Sequence, residues 1–348
     1  MASPSLTCVV ADDRVRVLAA AVALLSRVSD SVTLEIVDGC SLVLRALSES
    51  QSAYATVTLE REFFAEFSAA QPGDEGEDAA AAPLASTSGA SQPPPSAAPP
   101  QRTSALLSAK ALANALRSLR GAGAAQLYFA SRDAAHFFVV VLRQRNGVVR
   151  THSLTYGEAE VFTALFNTEL SRNVLIGQPH VLERLVGRIR GTDEASLLAC
   201  AGVVQLQGFH EAGVETTVRG AVHTSVAVEI TAFDKFLIAA APAPSQAPPP
   251  PSQSQSQAAA EQQASAAPPS NVTFSVRELK HLLAFAQSAG VASEELAMYF
   301  SSPGDPVLFS TRGVIKRPFH ASLIIASLEQ HVQPAPGSPL AAQLARHR

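Results

Sequence analysis

Side chains able to do chemistry are sparse in this chain of 348 residues. The acidic pairs Asp12/Asp13, Asp193/Glu194 and Glu294/Glu295 could chelate a divalent cation. Each falls at an expected element boundary, where carboxylates cap helices or solvate turns. The nine histidines show no metal-ligand spacing, and His152 and His223 are expected in strands. Cys8, Cys40 and Cys200 are three in number, far apart and never in a CxxC pair. They suggest neither a disulfide framework nor a zinc site, and a reducing compartment, cytosol or nucleus, is the default. The motifs GxxxxGK[ST], HExxH and GxSxG do not occur, and Gly121-Ala122-Gly123 follows an expected helix, the wrong context for a dinucleotide loop. No catalytic residue, metal or cofactor is assigned.

What remains is charge on helices. Arg16 and Arg27 lie opposite the apolar stripe of a first expected helix, and Lys110 and Arg117 lie opposite that of a second. Arg184, Arg188 and Arg190 flank the exposed side of a third; Arg277, Lys280 and His281 flank that of a fourth. The chain is acidic as a whole, with a formal charge of −4 and a pI near 6.1. If the helices share one surface, that surface becomes a local basic face suited to phosphates and blind to bases. The competing reading is that a solvated helix face is basic by chance.

The elements that must position these cations follow a repeated order. Leu6 to Val10 reads as a strand, Asp12 and Asp13 as N-caps, and Arg14 to Val28 as a helix burying Val15, Leu18, Val22 and Leu25. Three strands follow between Val32 and Glu60, with alternating Val32, Leu34 and Ile36, a tight turn at Asp38-Gly39, and Ala55, Val57 and Leu59 on one face. Phe63, Phe64 and Phe67 close this first sheet. A second unit has an expected helix from Ser104 to Arg120, then strands 126–130, 137–143 and 148–156 with a hairpin at Asn146-Gly147. Residues 157–172 read as a connector. The third unit has strand 174–177, a helix opened by Pro179, and strands 196–200, 203–208 and 216–230, with 233–241 leading out. The fourth has strand 272–276, helix 277–289 and strands 294–301, 307–311 and 316–328.

A hydrophobic share of 47% is ample for two cores. The first ten residues lack a basic n-region and a long apolar h-region, and no apolar run reaches membrane-spanning length, so a soluble, unsecreted chain is expected. Two low-complexity stretches, 68–103 and 242–270, are too poor in large apolar side chains to fold and read as disordered insertions. The second carries Ser252, Ser254 and Ser256, each followed by Gln, as phosphorylation candidates. The division is therefore 1–156 as a first domain, 157–172 as connector, 173–328 as a second domain and 329–348 as a short tail.

The wording of several stretches resembles the nine subunit of the nine-one-one checkpoint clamp. Leu24-Leu25-Ser26-Arg27-Val28, Ser41-Leu42 ahead of Arg45, Ser52-Ala53-Tyr54-Ala55 and Phe63-Phe64 carry the likeness in the first half. Leu116-Arg117-Ser118-Leu119, Arg150-Thr151-His152-Ser153-Leu154, Glu278-Leu279 and Phe285-Ala286 with Ser288-Ala289 continue it. The resemblance implies an α+β DNA-clamp fold like that of proliferating cell nuclear antigen (PCNA): two domains, each of two strand-helix-three-strand units, with helices on one face of antiparallel sheets and lining a pore around double-stranded DNA. It implies a heterotrimer with the one and Hus-type clamp subunits in the nucleus, loaded by an ATP-driven clamp loader, signalling through a checkpoint kinase and tethering repair enzymes near the connector. By analogy with that fold, subunits would pair through edge strands, with Val148, Arg150, His152, Val218 and Val222 at the interfaces. Two departures stand out. Members of the family commonly carry a long phosphorylated tail that recruits a kinase activator, and here only 329–348 follow the second domain. Exonuclease activity has been attributed within the family, and no carboxylate cluster here supports it. A homotrimeric replication clamp and a metal-dependent nuclease stay open as rival readings.

Overall fold

The computed structural model describes residues 5–70, 103–117, 122–132, 135–200, 202–209, 224–238, 270–311 and 317–329. In the first half, strand β1 (Ser5–Ala11) runs into helix α1 (Asp12–Val28), followed by β2 (Ser31–Val37), β3 (Ser41–Leu47), β4 (Ala53–Glu60) and a short β5 (Glu66–Ala70). The second unit is β6 (Thr103–Ser108), α2 (Ala109–Leu116), β7 (Ala122–Arg132), β8 (Ala135–Gln144) and β9 (Val149–Thr155). The second half repeats the order. Its third unit is β10 (Asn173–Gly177), α3 (Pro179–Val186), β11 (Glu194–Cys200), β12 (Val203–Gly208) and β13 (Ser225–Glu229), with β14 (Lys235–Ile238) appended. Its fourth is β15 (Ser270–Ser275), α4 (Val276–Ser288), β16 (Leu296–Phe300), β17 (Val307–Ser310) and β18 (Phe319–Ile325), with β19 (Ser327–Leu328) at the end.

Local chemistry explains the turns. Asp38 and Gly39 both take positive φ, 51° and 63°, in the tight turn closed by Cys40 N–H donating to the Val37 carbonyl at 3.1 Å, and with Val37 paired to Ser41 the loop between β2 and β3 has three residues. Between β8 and β9 only Gly147 is left-handed (φ 83°), and its N–H donates to the Gln144 carbonyl at 3.0 Å, giving a three-residue loop closed by a glycine. Helix α3 begins on Pro179, whose missing N–H costs nothing in a first turn.

The strands form three antiparallel sheets in the orders β5-β1-β7-β8-β9, β14-β10-β16-β17-β18-β4-β3-β2-β6 and β13-β12-β11-β15-β19. Each unit lends its first strand to its neighbour. β1 pairs with β7 and β6 with β2; in the second half β10 pairs with β16 and β15 with β11. The central nine-stranded sheet spans both halves because β4 and β18 pair from Ala53↔Ile325 to Leu59↔Phe319. On its core face Leu34, Leu44, Val57, Ala321 and Leu323 are buried. The helices cover that face, with Leu18, Val22 and Leu25 of α1 and Leu279, Leu282 and Leu283 of α4 buried against it. Each such large aliphatic side chain contributes on the order of 1.5–3 kcal/mol.

Several sequence expectations are corrected. Residues 104–108, expected as the start of a helix, are in β6, paired with β2 from Ser31↔Ser108 to Ile36↔Thr103, and the helix starts only at Ala109. Asp12 and Asp13 are not N-caps; Ala11 holds that position, and the two carboxylates lie in the first turn, where they complement the helix dipole. Residues 68–70 and 103 belong to β5 and β6 and Ser270 to β15, so those ends of the expected insertions are strand. Residues 235–238 form β14, which pairs with β10 where a lead-out was expected. Of the long strand expected over 216–230, the described part is β13, and Ile230–Ala232 is a short 3-10 turn. Residues 317–318 precede β18, and Ala326 separates it from β19, where one strand over 316–328 was expected. The remainder of both insertions, with Ser252, Ser254 and Ser256, and residues 330–348 lie outside the described residues.

Candidate nucleic-acid interface

The four helices lie side by side in the order α2, α1, α4, α3, each packed on the next. Side-chain and backbone ties fix the row. Asp30, just after α1, accepts from Lys110 of α2 at 2.9 Å and its carbonyl accepts from Ala109 N–H at 2.9 Å. Glu183 of α3 accepts from Gln287 of α4 at 2.7 Å. With sheets beneath and neighbours at the flanks, the helices keep only narrow stripes open to solvent. On α1 the stripe runs through Arg16, Ala23 and Arg27; on α4 it runs through Arg277, Lys280, Ala284 and Gln287. These are steps of three, four or seven residues, one helical face each.

All nine cations singled out from the sequence are exposed: Arg16, Arg27, Lys110, Arg117, Arg184, Arg188, Arg190, Arg277 and Lys280. Two are already matched, Lys110 to Asp30 and Arg277 to Glu278 at 2.9 Å. Among the described residues, the other seven make no ion pair. Two of them, Arg27 of α1 and Lys280 of α4, come together beside His281, partly buried on α4. Burial comes first and the Arg27 charge reaching from α1 second in holding its imidazole below the ordinary value of 6.5; Arg277 and Lys280 push the same way and Glu278 opposes them. Small exposed alanines between the cations leave nothing to keep a rigid polyanion away from the guanidinium groups. Such a face attracts a phosphate backbone and offers no fixed donor pattern for base edges.

The other sequence-predicted positions lie at the ends of the row. Arg150 and His152 are on β9, a terminal strand of its sheet, and Val148 precedes it in the β8–β9 turn. Val149 beside them is 58% exposed. β13 is the terminal strand at the opposite end, while Val218 and Val222 lie outside the described residues. Among the described residues no group of three or more His, Cys, Asp or Glu is placed to hold a metal ion. Burial pushes the Cys8 thiol up to about 12, which leaves it protonated and inert.

One feature escaped the sequence reading. Glu35 of β2, fully buried, pairs with Arg45 of β3 at 2.6 Å, and Arg45 also donates to the Tyr54 hydroxyl of β4 at 2.8 Å. Tyr54 donates in turn to the Phe162 carbonyl at 3.1 Å, and Ser104 donates to the Ala159 carbonyl at 3.0 Å, so residues 157–162 are strapped across the outer face of the sheet. A cleft of about 410 Å³ opens there, lined among others by Arg45, Tyr54, Leu106, Glu160 and Phe162. Beyond it the connector shows bare Leu165 and Leu170.

Four helices over antiparallel sheets, in two halves sharing one sheet, define a sliding-clamp subunit of the PCNA type. Solved structures agree on the fold. A PCNA2–PCNA3 complex from Sulfolobus tokodaii aligns with a TM-score of 0.59 at 11% identity, covering 93% of this chain and 100% of that one. PCNA from Thermococcus kodakaraensis gives 0.59 at 12% (92% and 99%) and that of Entamoeba histolytica 0.57 at 11% (94% and 99%). The Rad9 family model matches residues 18–328, and the chain belongs to that family, the nine-subunit branch of the nine-one-one clamp.

Proposed function

We propose that this chain is one subunit of a nuclear heterotrimeric clamp, completed by the one and Hus-type subunits, that encircles DNA at damage or stalled forks. An ATP-driven loader opens and closes the ring, and the closed ring supports checkpoint kinase signalling and tethers repair enzymes. The chain itself does no catalysis. The observation that carries this reading is the unbroken row of four helices whose solvent stripes bear Arg16, Arg27, Arg184 and Lys280, free of ion pairs among the described residues, with Arg117 capping α2 and Arg188 and Arg190 just past the end of α3, on a chain of formal charge −4. Exposed arginines and lysines would touch phosphates transiently through water, so the ring slides while its topology prevents escape. The strapped connector, with its cleft and bare leucines, is the surface offered to client proteins.

The test reverses Arg16, Arg27 and Lys280 to Glu, all in the middle of the row on α1 and α4. Rings assembled with the partner subunits should still form. Their loading onto and retention by nicked circular DNA should fall, and the difference from wild type should shrink as salt rises. Unchanged loading and sliding would sink the assignment of this face to DNA.

A further inference from the structure

Among the described residues, two terminal strands lie beside the end helices of the row, β9 next to α2 and β13 next to α3. On β13, Val226 and Val228 lie opposite the buried Leu206 and Val204, so they face the helix layer; Ser225, Ala227 and Glu229 face the other way. Between this strand and α3 is a groove of about 520 Å³ lined by Arg184, Arg188, Arg190 and residues 224–228, with no carboxylate in its wall. At the far edge, Arg150 lies opposite Leu142 and His152 opposite Val140, both fully buried, so these two also face the helix layer. Residues 149–155 contain no acid, and α2 beside them adds Arg117 and the Asp30-matched Lys110.

Both edges therefore present cations on the same side of the sheet. If a second copy joined its β9 to this β13, Arg150 of one copy would be directed toward Arg184, Arg188 and Arg190 of the other. Glu229, the lone acid of β13, projects from the opposite face, and Glu183 of α3 is occupied by Gln287. We propose that this matched positive charge bars the chain from closing a ring with copies of itself, and that each edge takes an edge strand of a different clamp subunit carrying carboxylates on its helix-layer side. Like charges facing each other across paired strands destabilise the pair, and a built-in repulsion is how a surface rejects a wrong partner. The inference rests on the clamp reading, because it takes both edges to be subunit interfaces.

The test uses the full chain alone, without DNA or partners, in light scattering at about 0.1 M salt, where charges within roughly 10 Å still act on each other. Wild type should scatter as one chain of 36.3 kDa. Arg184→Glu/Arg188→Glu/Arg190→Glu makes the two edges complementary and should shift the mass threefold. Adding Arg150→Glu and Arg117→Glu restores like charge and should return it to one chain. Arg150→Glu/Arg117→Glu by itself creates the same match from the other edge and reads the effect if the triple variant does not fold. A wild-type homotrimer, or folded single-edge variants that stay monomeric, would overturn the proposal. A wild-type homotrimer that slides on closed DNA would do so while leaving the clamp reading intact. Failure of wild-type partnered rings to be retained on closed circular DNA would instead strike the clamp reading and leave these masses untouched.

Discussion

Arg45 holds together three strands and a connector through one guanidinium. Burial works against its charge, but the hydrogen bonds to Tyr54 and Glu35 outweigh that and keep it above its ordinary range. Replacing Arg45 by Ala removes the countercharge of the buried Glu35 carboxylate and should cost about 3–5 kcal/mol in urea denaturation. Tyr54→Phe removes only the hydroxyl and should cost about 1 kcal/mol, with faster amide exchange in residues 157–164. A second residue-scale prediction concerns pH. His281 has a folded pKa below 6.5, so between the two values the unfolded chain binds more protons. Stability is then full above the unfolded value and falls as pH drops through 6.5 towards the folded value. Burial would raise the Glu278 pKa, but hydrogen bonds from Ser275 and Arg277 outweigh it and leave it below 4.5, which adds a further loss in acid. His281→Gln should flatten the first slope and leave the second, read as urea midpoints across the range. The Arg45 site did not stand out in the sequence, and His281, expected on the exposed side of its helix, is instead partly buried. The nine cations did stand out, because helical period sorts exposed from buried positions, although Arg117, Arg188 and Arg190 fall just past the ends of α2 and α3. The Glu35–Arg45 pair is a diagonal cross-strand contact that needs the register Thr33↔Arg45 and Glu35↔Val43 to be seen.

At the scale of elements, long periodic segments were legible and short apolar ones were not. α1 and α4 declare themselves by stripes several turns long. The run Ser104-Ala105-Leu106-Leu107-Ser108 is too short for period to tell helix from strand, and it becomes β6 because β2 offers it an open ladder. The stop between the two was nevertheless written locally: Ser108 accepts from Ala111 N–H at 3.3 Å as a helix N-cap. β14 carries no alternation and exists through its pairing with β10. The β4–β18 seam was invisible for the same reason, since its strands are about 260 residues apart along a chain whose closure cost grows only slowly with length. Leu323, fully buried in β18, tests the seam. Leu323→Ala should cost about 2–5 kcal/mol. Protection from hydrogen exchange should fall together in β2–β3 and β16–β17, whereas loss confined to the second half would show that the halves are held separately.

At the scale of the whole molecule, net charge and local charge have opposite signs, and the arrangement decides which one a ligand meets. The chain is acidic overall, yet the packed helices α1 and α4 carry Arg16, Arg27, Arg277 and Lys280 on their solvent stripes. Rings carrying this subunit should therefore leave linear DNA faster as salt rises, while rings on closed circles should stay until the circle is cut; equal release from both would show that charge alone holds them. The shared central sheet has a consequence for synthesis. A ribosome that has extruded only the first half displays β4 as an unclosed border, because its mate β18 is among the last strands made. The early half stays open to neighbours until β18 arrives, so cellular yield should track the speed of translation through the second half and the supply of holding chaperones.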